Sequence, residues 1–172
     1  MAEQVFLVGY MGAGKTSAAK ALSQRSGHRM IDLDDELERR EGRSISDLFK
    51  QEGEAEFRSK ESALLHDIAG RAEFPIVSCG GGIMANPQNV QAMKASGFIV
   101  WIDTPFEIIM ERLRSNRGER PLLAAMGDPL EERHLRTHYE LRCELYAGSD
   151  QRIDDLTEKV FAALSYRLNR GA

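Results

Sequence analysis

Val5-Phe6-Leu7-Val8-Gly9-Tyr10-Met11-Gly12-Ala13-Gly14-Lys15-Thr16-Ser17-Ala18-Ala19-Lys20-Ala21-Leu22 is the stretch on which the fold turns. Its first four residues form a short apolar run that reads as a buried strand. Residues 9–16 spell G-x-x-x-x-G-K-T, and Ser17 to Leu22 reads as a helix. Strand, glycine loop and helix in that order form the context of a phosphate-binding loop. Glycines let backbone N–H groups close around phosphate oxygens where a Cβ would obstruct them. The helix N-terminus adds a partial positive charge for the anion. Gly12, Ala13, Gly14, Lys15, Thr16 and Ser17 are therefore the candidate nucleotide-binding residues. Lys15 would set its ammonium against the terminal phosphates, and Thr16 would offer its hydroxyl to Mg²⁺.

Outward from that loop, four more strands can be proposed: the short Met30 to Asp32, the apolar runs Pro75 to Cys79 and Phe98 to Ile102, and a weaker one at Gln151 to Ile153. Helical stretches lie between them at Asp35 to Arg40, Ser46 to Gln51, Ala55 to Ala69, Pro87 to Ala95, Pro105 to Leu113, Glu131 to Tyr146 and Leu156 to Leu168. Near-continuous apolar strands separated by helices predict an α/β fold of the P-loop NTPase type. This is a three-layer arrangement, with a parallel sheet of about five strands and helices on both faces. Two segments break the alternation: the helical insert 34–69, and residues 112–129, dense in arginine, glycine and proline, which read as a mobile surface loop. A chain of 172 residues suits one domain, 1–172.

Bulk properties exclude several function classes. A net charge of −4 argues against a general nucleic-acid binder. No apolar run is long enough to span a bilayer, and no N-terminal signal is visible. The two cysteines, Cys79 and Cys143, lack motif spacing, so reduced thiols and a cytoplasmic location are expected. A monomer is the default.

Chemistry-bearing residues cluster where an open α/β sheet binds its ligands, beyond the carboxyl ends of its strands. Asp32 and Asp34 flank Leu33 at the end of the second strand. In an extended chain they would point the same way. They can serve metal coordination through water and capture of a hydroxyl proton, or Asp34 or Asp35 can cap the next helix. Gly80-Gly81-Gly82 follows the third strand, either as a permissive turn or as backbone brought close to a ligand. Arg58, with Glu54 and Glu61 within helical reach, reads on composition as part of a solvated helix face. Arg142 reads as a surface arginine. Arg120 is either an ordinary loop charge or a guanidinium that closes over phosphates. His134 and His138 have i, i+4 spacing but no third metal ligand, and read as a solvated helix face. Trp101 reads as core.

Taken in order, these residues resemble the shikimate kinase family along nearly the whole chain. The resemblance rests on Gly9 to Thr16, Asp32-Leu33-Asp34, Gly42-Arg43-Ser44-Ile45 with Phe49, Gly53-Glu54 with Phe57-Arg58 and Glu61, Gly80-Gly81-Gly82, and Arg120-Pro121-Leu122-Leu123. It implies transfer of the ATP γ-phosphate to the 3-hydroxyl of shikimate, with Mg²⁺. By position it makes Thr16 and Asp32 the metal ligands and Asp34 the group that holds or deprotonates the hydroxyl. Arg58 and Arg142 become the clamp on the substrate carboxylate, and Gly80, Gly81 and Gly82 a backbone surface for the ring hydroxyls. Arg120 becomes a lid residue on ATP, with 34–69 the substrate-binding insert and 112–129 the lid. The catalytic set is then Asp34, Lys15 and Arg120. Two departures stand out. Glu144 replaces the proline of the family's R-x-P-L-Y, leaving Arg136 as an alternative to Arg142. No arginine lies in 154–159 to stack on adenine, so the resemblance leaves the adenine contact unassigned, Lys159 included. The rival readings are a kinase of another small polyol acid, such as gluconate, and a non-catalytic nucleotide-binding relative.

Overall fold

The computed structural model describes residues 3–71, 73–115, 132–154 and 157–169. In chain order the elements are β1 (Gln4–Val8), α1 (Lys15–Ser26), β2 (Met30–Asp32), α2 (Leu33–Glu41), α3 (Ile45–Arg71), β3 (Ile76–Ser78), a 3₁₀ turn (Ile83–Ala85), α4 (Pro87–Ser96), β4 (Gly97–Ile102), α5 (Phe106–Ser115), α6 (Glu132–Tyr146), β5 (Gln151–Ile153) and α7 (Glu158–Asn169). The five strands form one sheet in the order β2-β3-β1-β4-β5. Every neighbouring pair is parallel.

β1 explains the layering. All five of its residues are buried, and alternation sends successive side chains to opposite faces. Val5 and Leu7 pack with Ala18, Ala19 and Leu22 of α1 and Phe161, Leu164 and Leu168 of α7. Phe6 and Val8 join the other core, which draws on Leu37, Leu48, Leu65, Met93, Ile109 and Leu135 from α2 through α6. A strand covered on both faces has no solvent side to show, which is why Val5 to Val8 are all apolar; the buried Gln4 side chain instead donates to the Ile68 and Phe74 carbonyls.

The 34–69 region is helical, as predicted, but it begins differently. The sequence reading ends β2 at Asp32, starts the helix at Asp35 and gives the cap to Asp34 or Asp35. Instead Asp32 is itself the N-cap of α2, its Oδ1 accepting from the Asp34 N–H at 3.0 Å. Asp34 thus lies in the first helical turn. α3 breaks at Gly53, whose φ of 83° and ψ of 173° leave the helical region. This break falls in the gap between the two predicted helices. Of residues 112–129, read as a mobile loop, 112–115 instead form the end of α5, with Leu113 in the core; those from 116 onward lie outside the described residues.

Candidate active site

Three strand ends and two helix starts build one cleft of ≈ 840 Å³. Because chain order reverses about β1, the carboxyl ends of β1, β3 and β2 open side by side into a crevice, the usual ligand position in such sheets. The loop after β1 turns through Gly12 (φ 78°) and Gly14 (φ 96°), left-handed positions that suit glycine. Gly14 N-caps α1, so the loop's N–H groups and the helix N-terminus face the same space. Lys15 Nζ donates to the Gly9 and Tyr10 carbonyls at 2.9 and 3.0 Å, which holds the ammonium across the mouth of its own loop.

Parallel register places Asp32 opposite Ser78. Their side chains meet: Ser78 Oγ donates to Asp32 Oδ2 at 2.8 Å, and Thr16 Oγ1 donates to the same oxygen at 2.6 Å. One carboxylate and two hydroxyls form a compact set of hard oxygen donors. Mg²⁺ keeps most of its waters and needs only one or two protein ligands beside a phosphate, so the set fits it. Among the described residues no group of three or more His, Cys, Asp or Glu is placed to hold a metal. A metal here would depend on water and phosphate for its remaining ligands.

Asp34 projects from the first turn of α2 into the cleft. Burial, then the charges of Asp32 and Glu61, push its carboxyl up to about 7, against the weaker pull of Lys15 and Arg58. Arg58 Nη1 donates to Glu61 Oε2 at 2.8 Å, and its Nε lies 3.5 Å from Glu54 Oε1. Both partners named from helical spacing are therefore present. Glu61 is only 2% exposed, and burial raises its carboxyl pKa while Arg58 opposes the rise. Arg58 Nη2 is buried with no hydrogen-bond partner among the described residues. An unsatisfied guanidinium nitrogen at a cleft wall is costly unless a ligand completes it.

The glycine triplet also has a reason within the fold itself. A Cβ on Gly82 would sit 2.6 Å from Arg58 Cζ, and one on Gly80 would sit 2.2 Å from Glu61 Oε1. The close approach is made by the protein's own ion pair. Gly81 is held by the Tyr146 hydroxyl, which donates to its carbonyl.

Gly12 to Ser17, Asp32, Asp34, Arg58, Gly80 to Gly82 and Arg142 all line this cleft. Arg120 lies outside the described residues. Arg136, the alternative to Arg142, pairs with Glu107 and Glu132 on the exposed side of α6 and does not line the cleft. Lys159 does not reach the cleft either. Ser78, Arg112 and His138 are among the cleft residues that the sequence reading did not assign to the site. Ser78 left a faint sign, a lone hydroxyl closing an apolar strand. Arg112 donates from Nη1 to the Gly12 carbonyl at 2.8 Å, but in sequence it is one arginine of a charged run. His138, read as solvated, is half-buried in the cleft wall.

The family model for shikimate kinase matches residues 11–168. A shikimate kinase of Persephonella marina is 37% identical over 149 residues, 87% of each chain. A shikimate kinase from Acinetobacter baumannii, solved in complex with shikimate, superposes with a TM-score of 0.81 at 31% identity, covering 96% of this chain and 89% of that one. The structure from Aquifex aeolicus gives a TM-score of 0.77 at 34% identity, covering 96% and 95%.

Proposed function

The chain belongs to the shikimate kinase family, and from that premise we propose that it transfers the γ-phosphate of ATP to the 3-hydroxyl of shikimate. The observation that carries this reading is one cleft that brings together a phosphate loop, the Asp34 carboxylate and the Arg58 and Arg142 guanidinium groups. Those are the groups that a small hydroxylated acid and a nucleotide triphosphate need.

Lys15 and the amides of Gly12 to Ser17 bind the phosphates. Thr16 and Asp32, supported by Ser78, hold Mg²⁺, which when bound offsets charge on the phosphate oxygens. Asp34 receives the reacting hydroxyl and takes its proton. Phosphoryl transfer asks the protein chiefly for positioning and charge neutralisation. The acid is fixed at its far end, where Arg58 and Arg142 present planar donor forks to the carboxylate. The Glu61 carboxylate keeps Arg58 against Gly82, and the triplet offers backbone to the ring hydroxyls. Of the 112–129 segment, we assign the part beyond α5, with Arg120, as the lid that excludes water, a competing acceptor. Residues 34–69 are the acceptor-binding insert of one kinase domain over 1–172. Among the described residues no helix is long and apolar enough to cross a membrane, and both cysteines are free. We take the enzyme to be a monomer of the cytoplasm, a compartment in which free thiols stay reduced.

A coupled assay of ADP release tests the reading. Turnover should require both shikimate and Mg²⁺, and gluconate should not replace shikimate. ADP release indifferent to shikimate would remove the proposal.

A further inference from the structure

The cleft wall on α6 carries an imidazole that none of the roles above uses. His138 lies one turn before Arg142, so their side chains are neighbours on one helix face. Arg142 Nε donates to His138 Nε2 in a long hydrogen bond of 3.4 Å. On its other side, His138 Nδ1 lies 2.7 Å from the Tyr10 hydroxyl. An arginine N–H can only donate, so Nε2 accepts. The neutral ring then carries its proton on Nδ1 and donates it to Tyr10. The surroundings favour that neutral form. Burial and the Arg142 charge lower the imidazole pKa, Glu54 opposes them, and Arg58 adds a smaller push down.

Tyr10 is a firm anchor. It is 2% exposed, its ring meets Tyr139 edge-on at 5.3 Å, and its carbonyl accepts from Lys15 Nζ. Arg142 hydrogen-bonds to no described residue other than His138, so its two terminal nitrogens remain for a ligand in the cleft they line.

We propose that His138 is a positioning residue that fixes Arg142 by its Nε and ties the acceptor-carboxylate site to the phosphate loop through Tyr10. A long, many-jointed side chain loses rotamer freedom when it binds, and pinning its inner nitrogen beforehand leaves less to lose. The inference rests on the reading that Arg142 binds the acceptor's carboxylate.

Steady-state kinetics of the full chain test it, with thermal denaturation to check folding. Arg142→Ala should raise KM for shikimate by more than tenfold and leave KM for ATP nearly unchanged. His138→Leu should raise KM for shikimate about tenfold with kcat within about threefold. In the Arg142→Ala background the same change should add less than about twofold, because its effect passes through that guanidinium. His138→Gln keeps an acceptor near Nε2 and should recover most of the wild-type KM. His138→Asn reaches only toward Tyr10 and should not; this pair decides the matter if the leucine variant fails to fold. If Arg142→Ala leaves KM for shikimate unchanged, the clamp reading falls and takes this inference with it. If Arg142→Ala raises KM but the histidine variants do not, or if their effect adds fully to Arg142→Ala, the clamp stands and His138 has no positioning role.

Discussion

Asp34 is asked to hold or deprotonate a hydroxyl, yet the free chain opposes its ionisation. Its carboxyl sits near 7 because burial strips it of water and Asp32 and Glu61 add negative charge beside it. The folded chain therefore binds this proton more tightly than the unfolded chain, where the value is 3.8. Stability is unaffected below about pH 4, falls as pH rises toward 7, and stays reduced above it. At about 1.4 kcal/mol per pH unit the full effect is roughly 4 kcal/mol. Asp34→Asn should thus be more stable than the native chain by roughly 2–4 kcal/mol in urea denaturation at pH 8, without nucleotide or divalent cation. The gain should vanish near pH 4, while kcat falls at least about 100-fold. Equal midpoints at pH 8 would show that burial does not strain this carboxylate. Gly82 makes a second residue-scale test. A methyl group there would meet the Arg58 guanidinium at 2.6 Å, so Gly82→Ala should push Arg58 aside. KM for shikimate should rise about tenfold or more with KM for ATP nearly constant, and a larger effect on ATP would misplace Arg58. Residue types and their order were legible in the sequence, since Lys15, Thr16, Asp32, Asp34 and Arg58 all meet in the cleft. Partners distant in sequence were not. Tyr10 and His138 are 128 residues apart, and helical spacing shows a histidine only the neighbours on its own helix.

Elements were read well where a local signal sets them and less well where one side chain decides. All five strands were located, three of them from apolar runs and β2 and β5 from weaker signals. A predicted gap between two helices became the break at Gly53. The start of α2 was misjudged because Asp32, Asp34 and Asp35 all cap helices well, and only the Ser78 and Thr16 hydroxyls show which one the fold holds in place. Arg58 reaches the cleft from the part of α3 beyond the break. Nothing crowds Gly53, so its role is conformational. A φ of 83° with ψ of 173° is a region almost closed to residues with a Cβ. Gly53→Ala should cost about 1–3 kcal/mol, seen as a fall in Tm of roughly 2–10 °C for a chain of this size. It should also raise KM for shikimate, because straightening α3 re-aims Arg58. A variant with unchanged Tm and KM would show that the break neither strains alanine nor aims the arginine.

At the scale of the molecule, the sequence supplied the strands but not their order. Periodicity reports which faces are buried and says nothing of which strand lies beside which. The order β2-β3-β1-β4-β5 does the functional work, because it sets the phosphate loop beside Ser78 and Asp32 and puts Arg112 and Arg142 around the same opening. Two ligands in one cleft should stabilise the fold by separable amounts. A ligand that binds only the native state adds about 2.7 kcal/mol at one hundred times its Kd, or roughly 5–11 °C in Tm here. A non-hydrolysable ATP analogue with Mg²⁺, and shikimate, should each raise Tm on this scale. Lys15→Ala removes the ammonium that would compensate the phosphate charge. It should abolish turnover, shrink the nucleotide's increment by more than half, and leave both the basal Tm and the increment from shikimate nearly intact. If the shikimate increment disappeared as well, the two halves of the cleft would be one cooperative unit depending on Lys15. The division into a phosphate half and an acid half would then be wrong.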